Sequence, residues 1–64
     1  MRSTEFWARM REHLGPAYAD SFARDHVLTE LGGRTAAEAL AAGVETKQVW
    51  RAVVVALDLP PSAR

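Results

Sequence analysis

The sequence has no cysteine, no net charge and no long apolar run, and each of these absences excludes a class of protein. Without cysteine the chain can form neither a disulfide nor a thiolate metal site. Eight basic and eight acidic residues balance, so no overall field attracts the molecule to nucleic acid or to an anionic membrane. The mixed-charge start at 1–5 predicts neither a signal peptide nor a membrane span, and we therefore expect a cytoplasmic protein without membrane partners.

The chain is also short, which limits the core that it can form. A domain of 64 residues buries only about 60% of the surface of its unfolded chain. Its stability is therefore expected to be only about 3–5 kcal/mol. We expect the aromatic side chains to build the core, with an exposed place in a partner interface as the alternative for the tryptophans. The aromatic residues are Phe6, Trp7, Tyr18, Phe22 and Trp50.

The clearest local signals lie in the C-terminal half. Thr35 precedes Glu38 by three residues, which is the spacing of a capping box at the start of a helix. Gly43 follows AAEALAA and can adopt the left-handed conformation that ends a helix. After a turn at Val44, the segment 46–57 contains no glycine or proline. The pattern predicts two helices joined by a tight turn.

The segment AVVVAL at 52–57 also has the composition of a buried strand, because consecutive valines favour the sheet. A helix is the better interpretation, since apolar residues recur from Val49 to Ala56 with the i, i+3, i+4, i+7 spacing of one helix face. No second strand-like run is evident elsewhere in the sequence to pair with it. We therefore predict a helix through the three valines.

The N-terminal half is predicted to contain two further helices. Ser3 or Thr4 can cap the first, which ends near Leu14. Pro16 suits the first position of the second helix, where its missing N–H would be unbonded in any case. The apolar positions of this helix drift around its axis, which is consistent with a kink, and continue to Leu31. A Gly-Gly pair is then expected to end it.

These elements predict an all-α fold, a small bundle of four short helices in one domain at 1–59, followed by a frayed tail at 60–64. The C-terminal pair has the spacing of a helix-turn-helix motif, in which the second helix lies across the first. On that hypothesis Lys47 would meet a phosphate, and Gln48 and Arg51 would hydrogen-bond base edges. Two cations bind DNA weakly, because phosphate neutralisation dominates affinity, so an ordinary helical hairpin is the favoured interpretation.

Other patterns are weaker indications of chemistry. Gly-Gly-Arg-Thr at 32–35 is faintly similar to an anion-binding loop, but a helix stop followed by a capping box explains it better. His13 and His26 lack the spacing of a metal site. Ser21, Asp25 and His26 are close in sequence, yet no strained nucleophile turn or oxyanion hole accompanies them. We predict no enzyme, no cofactor and no metal.

The functional hypothesis is a non-enzymatic protein-interaction module that docks through the exposed side of the last helix and the adjoining Arg34. Lys47, Arg51 and Val55 are the expected contacts, and Val55 lies among polar residues, where it could mark the middle of a partner patch. The alternative is a weak DNA-binding domain that uses Lys47, Gln48 and Arg51, in which a dimer would supply more cations. The sequence identifies neither the protein partner nor the oligomeric state.

Five segments of the chain form a specific combination. They are TEFW at 4–7, DHVL at 25–28, LGGRT at 31–35, ALAAGV at 39–44 and VWRAV at 49–53. The combination resembles a short actinobacterial family of domains of unknown function, number 3046. The resemblance implies stand-alone cytosolic proteins, commonly encoded near the bacterial recombinase and its regulator, which makes a link to DNA repair plausible. At Glu45-Thr46 the family more often has Asp-Pro, so the last helix is expected to start loosely or to use Thr46 as its cap.

Overall fold

The computed structural model describes residues 1–60, which form four α-helices and a small two-stranded sheet. The helices are α1 (Ser3–Leu14), α2 (Pro16–Asp25), α3 (Ala36–Ala41) and α4 (Thr46–Leu57), and the strands are β1 (Val27–Leu28) and β2 (Arg34–Thr35), with a 3₁₀ helix at Thr29–Leu31. The four predicted helices are confirmed, and the expected all-α fold holds in its coarser form, as a mostly helical fold with a small sheet. Of the predicted frayed tail at 60–64, residues 61–64 lie outside the described residues.

The start of α3 has the predicted capping box. The Glu38 backbone N–H donates to Thr35 Oγ1 at 3.1 Å, and the Thr35 N–H donates to Glu38 Oε1 at 2.9 Å. After α3 the chain turns at Gly43, whose φ of 90° lies in a region that residues with a Cβ rarely adopt. The Val44 N–H closes the turn by donating to the Ala39 carbonyl at 3.0 Å. Local hydrogen bonds therefore define both ends of this helix, as expected.

Helix α4 runs through the three valines, so the helical interpretation of this segment is confirmed. Glu45 is its N-cap residue and makes no side-chain capping bond, which shows that the suggested cap at Thr46 is wrong. The Thr46 hydroxyl instead donates to the Met1 carbonyl, which joins the start of the chain to the start of α4. The helix ends at Asp58, which adopts a left-handed conformation with φ of 51°.

The second helix is shorter than predicted and does not continue to Leu31. It ends at Asp25, after which extended backbone at His26 leads into β1. Strand β1 pairs antiparallel with β2, with Leu28 opposite Arg34. The glycine pair at 32–33 therefore closes a hairpin, with both glycines at positive φ, and does not end a long helix. This arrangement buries Leu28 in the core, which makes the fold mostly helical but not purely α-helical.

The first helix has the predicted extent but not the predicted cap. Its N-cap residue is Arg2, which makes no side-chain capping bond, so capping by Ser3 or Thr4 is wrong. At the other end Gly15, at φ of 89°, donates its N–H to the Arg11 carbonyl at 2.9 Å. Proline follows at the first turn of α2, as expected. The Gly-Pro pair thus separates two helices with no intervening loop.

The core combines a few large side chains with closely packed alanines. Trp50 is 2% exposed and meets Phe6 edge to face, with 6.2 Å between ring centroids, so its predicted place in the core is confirmed. Trp7 is half-buried against this core. Tyr18 is 54% exposed, so its expected core role is wrong. Buried alanines let neighbouring helices approach closely, and these are Ala19, Ala23, Ala36, Ala39 and Ala52.

Helix α4 has neighbours on several sides but leaves one face uncovered within residues 1–60. It packs against α1, α3, β1 and the 3₁₀ helix, while α1 and α3 both pack against α2. Five residues of α4 are buried by these contacts, and they are Val49, Trp50, Ala52, Val53 and Val54. The opposite side carries four of the five residues that the sequence suggested as contacts, since Arg34 lies on β2.

Candidate functional site

The outer face of α4 presents Lys47, Gln48, Arg51 and Val55, all of which are exposed. Arg51 and Val55 are four residues apart, so their side chains lie one above the other along the helix. Together they form a ridge on the outside of α4. A groove runs along each side of this ridge, and the two grooves have different chemistry.

The first groove, called here the Val55 groove, lies between α4 and the 3₁₀ helix. Its lining residues are Glu30, Gln48, Arg51, Ala52 and Val55. It continues into a second depression whose walls also contain His26, Val27, Thr29 and Ala56. Val27 and Val55 are each 55% exposed, and they contribute an apolar centre. Glu30 and Arg51 add opposite charges beside it, so the Val55 groove has an apolar middle and a mixed-charge border.

The second groove, called here the Arg9 groove, lies between α4 and α1. Its lining residues are Met1, Glu5, Arg9, Lys47, Trp50 and Arg51. Three cations therefore face this groove with a single carboxylate, although the chain as a whole has no net charge. The bond from the Thr46 hydroxyl to the Met1 carbonyl holds the two walls together at one end. The Arg9 groove is thus a local basic site.

The predicted contact residues divide between these grooves. Gln48, Arg51 and Val55 meet in the Val55 groove, and Lys47 joins Arg51 in the Arg9 groove. Arg34 is exposed on β2 and lines neither groove, so its predicted place beside the others is not supported by the structure. Arg51 alone among the predicted residues lines both grooves.

Sequence reasoning missed three residues that shape the site. Glu30 and Val27 were expected on a long second helix, and only the hairpin brings them beside α4. Arg9 was not among the predicted contacts, and the packing of α1 on α4 places it in one groove with Lys47. No local signal marks any of these positions, because each depends on contacts between elements that are distant in sequence.

The charged groups of the site are not neutralised by neighbours within residues 1–60. The ion pair found in this part of the chain joins Arg24 and Asp20 on α2, at 2.7 Å. Glu30, Lys47 and Arg51 form no ion pair with another described residue. Their charges therefore remain able to contact a partner.

The two histidines lie against aromatic rings. His26 stacks on Phe22, with ring centroids 4.6 Å apart and planes at 14°, and His13 lies 5.7 Å from Trp50. The Ser21 hydroxyl donates to Asp25 at 3.4 Å on the surface of α2, while the imidazole of His26 faces Phe22. Within residues 1–60, no three His, Asp or Glu side chains are grouped so that they could hold a metal ion.

The longest helices of the described chain, α1 and α4, have 12 residues each. None of the helices within 1–60 has the length and apolar character that crossing a bilayer requires.

These features define a class, a small and mostly helical protein whose last helix carries an exposed ridge between two grooves. The chain belongs to the protein family of unknown function DUF3046, whose family model matches residues 1–62. The match confirms the resemblance that the sequence motifs indicated. No curated protein and no solved structure matches the chain.

Proposed function

We propose that the protein is a non-enzymatic interaction module that docks a protein partner through the outer face of α4. The observation that carries this proposal is the pair of valines in the Val55 groove. Val27 and Val55, each 55% exposed, stand on opposite walls of one depression, next to Glu30 and Arg51. Protein interfaces combine a desolvated centre with a polar border in the same way.

The construction of α4 supports the proposal. The inner side of the helix is fixed in the core, so its outer side chains are presented on a rigid element. Valine loses little rotamer freedom on binding because it is already restricted in a helix. Ala56 is exposed and small, so it allows a partner side chain to approach the helix backbone. The Val55 groove therefore needs little rearrangement to accept a partner.

The test is capture of the partner by tagged protein from its own host. Val55→Asp places a charge in the apolar centre, and loss of a central contact of about 2 kcal/mol would reduce recovery roughly 30-fold. Tyr18→Asp is the matched control, because Tyr18 is equally exposed but lies on α2, and it should leave recovery unchanged. Equal recovery by wild type and Val55→Asp would refute docking through this face.

The Arg9 groove favours a second candidate function, weak DNA binding. In this proposal α3 and α4 act as a helix-turn-helix-like pair, with Gln48 and Arg51 toward base edges and Lys47 toward a phosphate. The supporting observation is Arg9, which adds a third cation from α1 to the two on α4. Glu5 in the same groove and the zero net charge of the chain count against it. A link to DNA repair would accompany this function.

Salt titration of binding to duplex DNA tests the second candidate. Two phosphate contacts, from Arg9 and Lys47, predict that log K falls with log salt with a slope of about −1.8. Each of Arg9→Ala and Lys47→Ala should reduce the slope by about 0.9, whereas Arg51→Ala should relax base specificity with little effect on the slope. Arg24→Ala, on α2, is the control and should not change it. Absence of binding at low salt would exclude this function and leave the protein-docking proposal intact.

A further inference from the structure

We propose that the partner seated on the Val55 groove is a second copy of this chain, which forms a two-fold symmetric dimer. In this dimer Arg51 of each copy meets Glu30 of the partner subunit, and Val55 lies near the symmetry axis. The inference rests on the proposed docking function, of which it names the partner.

The first argument is charge complementarity within one groove. In a two-fold interface the same patch meets itself, so the patch must contain both members of each interacting pair. Glu30 and Arg51 line the same groove with opposite charges, and neither is ion-paired with another residue of 1–60. Two copies related by an axis through this groove would form two equivalent Glu30–Arg51 pairs. The apolar centre supplied by Val27 and Val55 would be covered at the same time.

The choice between the two grooves follows from their charges. The Arg9 groove carries Arg9, Lys47 and Arg51 against one carboxylate, so two copies facing each other there would repel. The Val55 groove has no such excess of one sign. Because the whole chain has no net charge, overall repulsion does not oppose association of two copies either. The symmetry axis is therefore placed on the side of the ridge that faces the 3₁₀ helix.

The size of the molecule is compatible with a single interface on this side. A standard interface covers about 800 Å² of each partner, which is about a fifth of the 4106 Å² surface of the chain. The molecule measures 25 × 23 × 20 Å, so about a fifth of its surface corresponds to one side. The outer face of α4 and the adjoining 3₁₀ helix line the Val55 groove, and the proposed interface lies on that side. No second surface is needed to complete the dimer.

Exchange of charges between two variants provides the test. Glu30→Arg should weaken the dimer roughly 100-fold, because the introduced guanidinium would face Arg51 of the partner subunit, and Arg51→Glu should weaken it equally. An equal mixture of the two variants should form a heterodimer, in which one Glu30–Arg51 pair is kept and the other is present with its charges exchanged. Analytical ultracentrifugation over a dilution series gives the dissociation constants, and native mass spectrometry identifies the heterodimer in the mixture.

Matched controls separate this result from effects on folding. Asp20→Arg and Arg24→Asp reverse the ion pair on α2, outside both grooves, and should leave the dissociation constant unchanged. The double variant Glu30→Arg with Arg51→Glu should dimerise as wild type does. Heterodimer formation on mixing requires that both single variants fold, so it supports the proposal even if either is less stable alone.

The outcomes that would overturn the dimer differ from those that would overturn docking itself. A wild-type chain that remains monomeric at every concentration refutes the second copy as partner. If the charge-reversed variants or Val55→Asp dimerise with the dissociation constant of wild type, the proposed geometry is refuted. In each of these cases the docking function is still decided by capture with Val55→Asp and Tyr18→Asp, because that comparison does not depend on self-association.

Discussion

Trp50→Ala is expected to leave the domain largely unfolded at room temperature. Trp50 is 2% exposed and contacts the rings of both Phe6 and His13, so its removal leaves a large cavity in the core. Such a truncation costs about 3–5 kcal/mol. The total stability of so small a domain is of the same size, about 3–5 kcal/mol. Far-UV circular dichroism with a urea titration would show loss of helical signal and of the cooperative transition.

Tyr18→Ala is the control for this variant. The Tyr18 side chain is 54% exposed and meets only the edge of the core, with its ring 5.9 Å from that of Phe22. Its loss should cost less than about 1 kcal/mol, within the range of surface substitutions with modest contacts. A Trp50→Ala protein that unfolds at the same urea concentration as wild type would show that the core is not centred on this ring.

Val53→Asp is expected to prevent folding, whereas the same substitution at Val55 should not. Val53 is 0% exposed, so an aspartate there would place an unpaired carboxylate in the core at a cost of several kcal/mol. Val55 is two residues further along α4 and 55% exposed. Both substitutions change intrinsic helix propensity equally, and charge effects at i, i+4 or at the helix end amount to only tenths of a kcal/mol, so the difference between them measures mainly burial. Urea titrations of the two variants give this difference.

The comparison also checks the orientation of α4. Val55→Asp should stay within about 1 kcal/mol of wild type, and its loss of docking can then be attributed to the surface. If both variants unfolded alike, α4 would be covered on its outer side as well, and the docking proposal would lose its basis.

The C-terminal half of the fold was predictable because its signals are local. A capping box is formed by residues three positions apart, and Gly43 turns the chain by its own backbone conformation. The three valines follow the helical period, and no strand partner for them exists within residues 1–60. Each of these inferences needed only neighbouring residues, and for this reason α3 and α4 could be placed correctly.

The end of the second helix was not predictable in the same way. The residues after Asp25 include no glycine or proline until 32, and their apolar spacing is compatible with a helix. What ends the helix is the pairing of Val27 with Thr35 and the burial of Leu28 against distant residues. Tertiary contacts therefore override a locally acceptable helix.

The candidate site was predictable where its residues lie on α4, but not where they lie on other elements. The helical period placed Gln48, Arg51 and Val55 on the outer face of α4, where the structure has them exposed. The opposite walls of the two grooves come from Glu30 and Arg9, whose positions depend on the hairpin and on the packing of α1. The wall of each groove that α4 forms was therefore predictable from the sequence, whereas the position of the opposite wall depends on tertiary contacts.

Helix α4 follows the other described elements in the chain and contributes five of the thirteen buried apolar residues found within 1–60, including Trp50. During synthesis, a nascent chain that has not yet emerged beyond Thr46 therefore leaves Phe6 without the ring of Trp50 that packs against it. Native packing can form only after α4 has emerged from the ribosome. Until then the earlier helices expose apolar side chains, which makes them prone to aggregation and recognisable by chaperones.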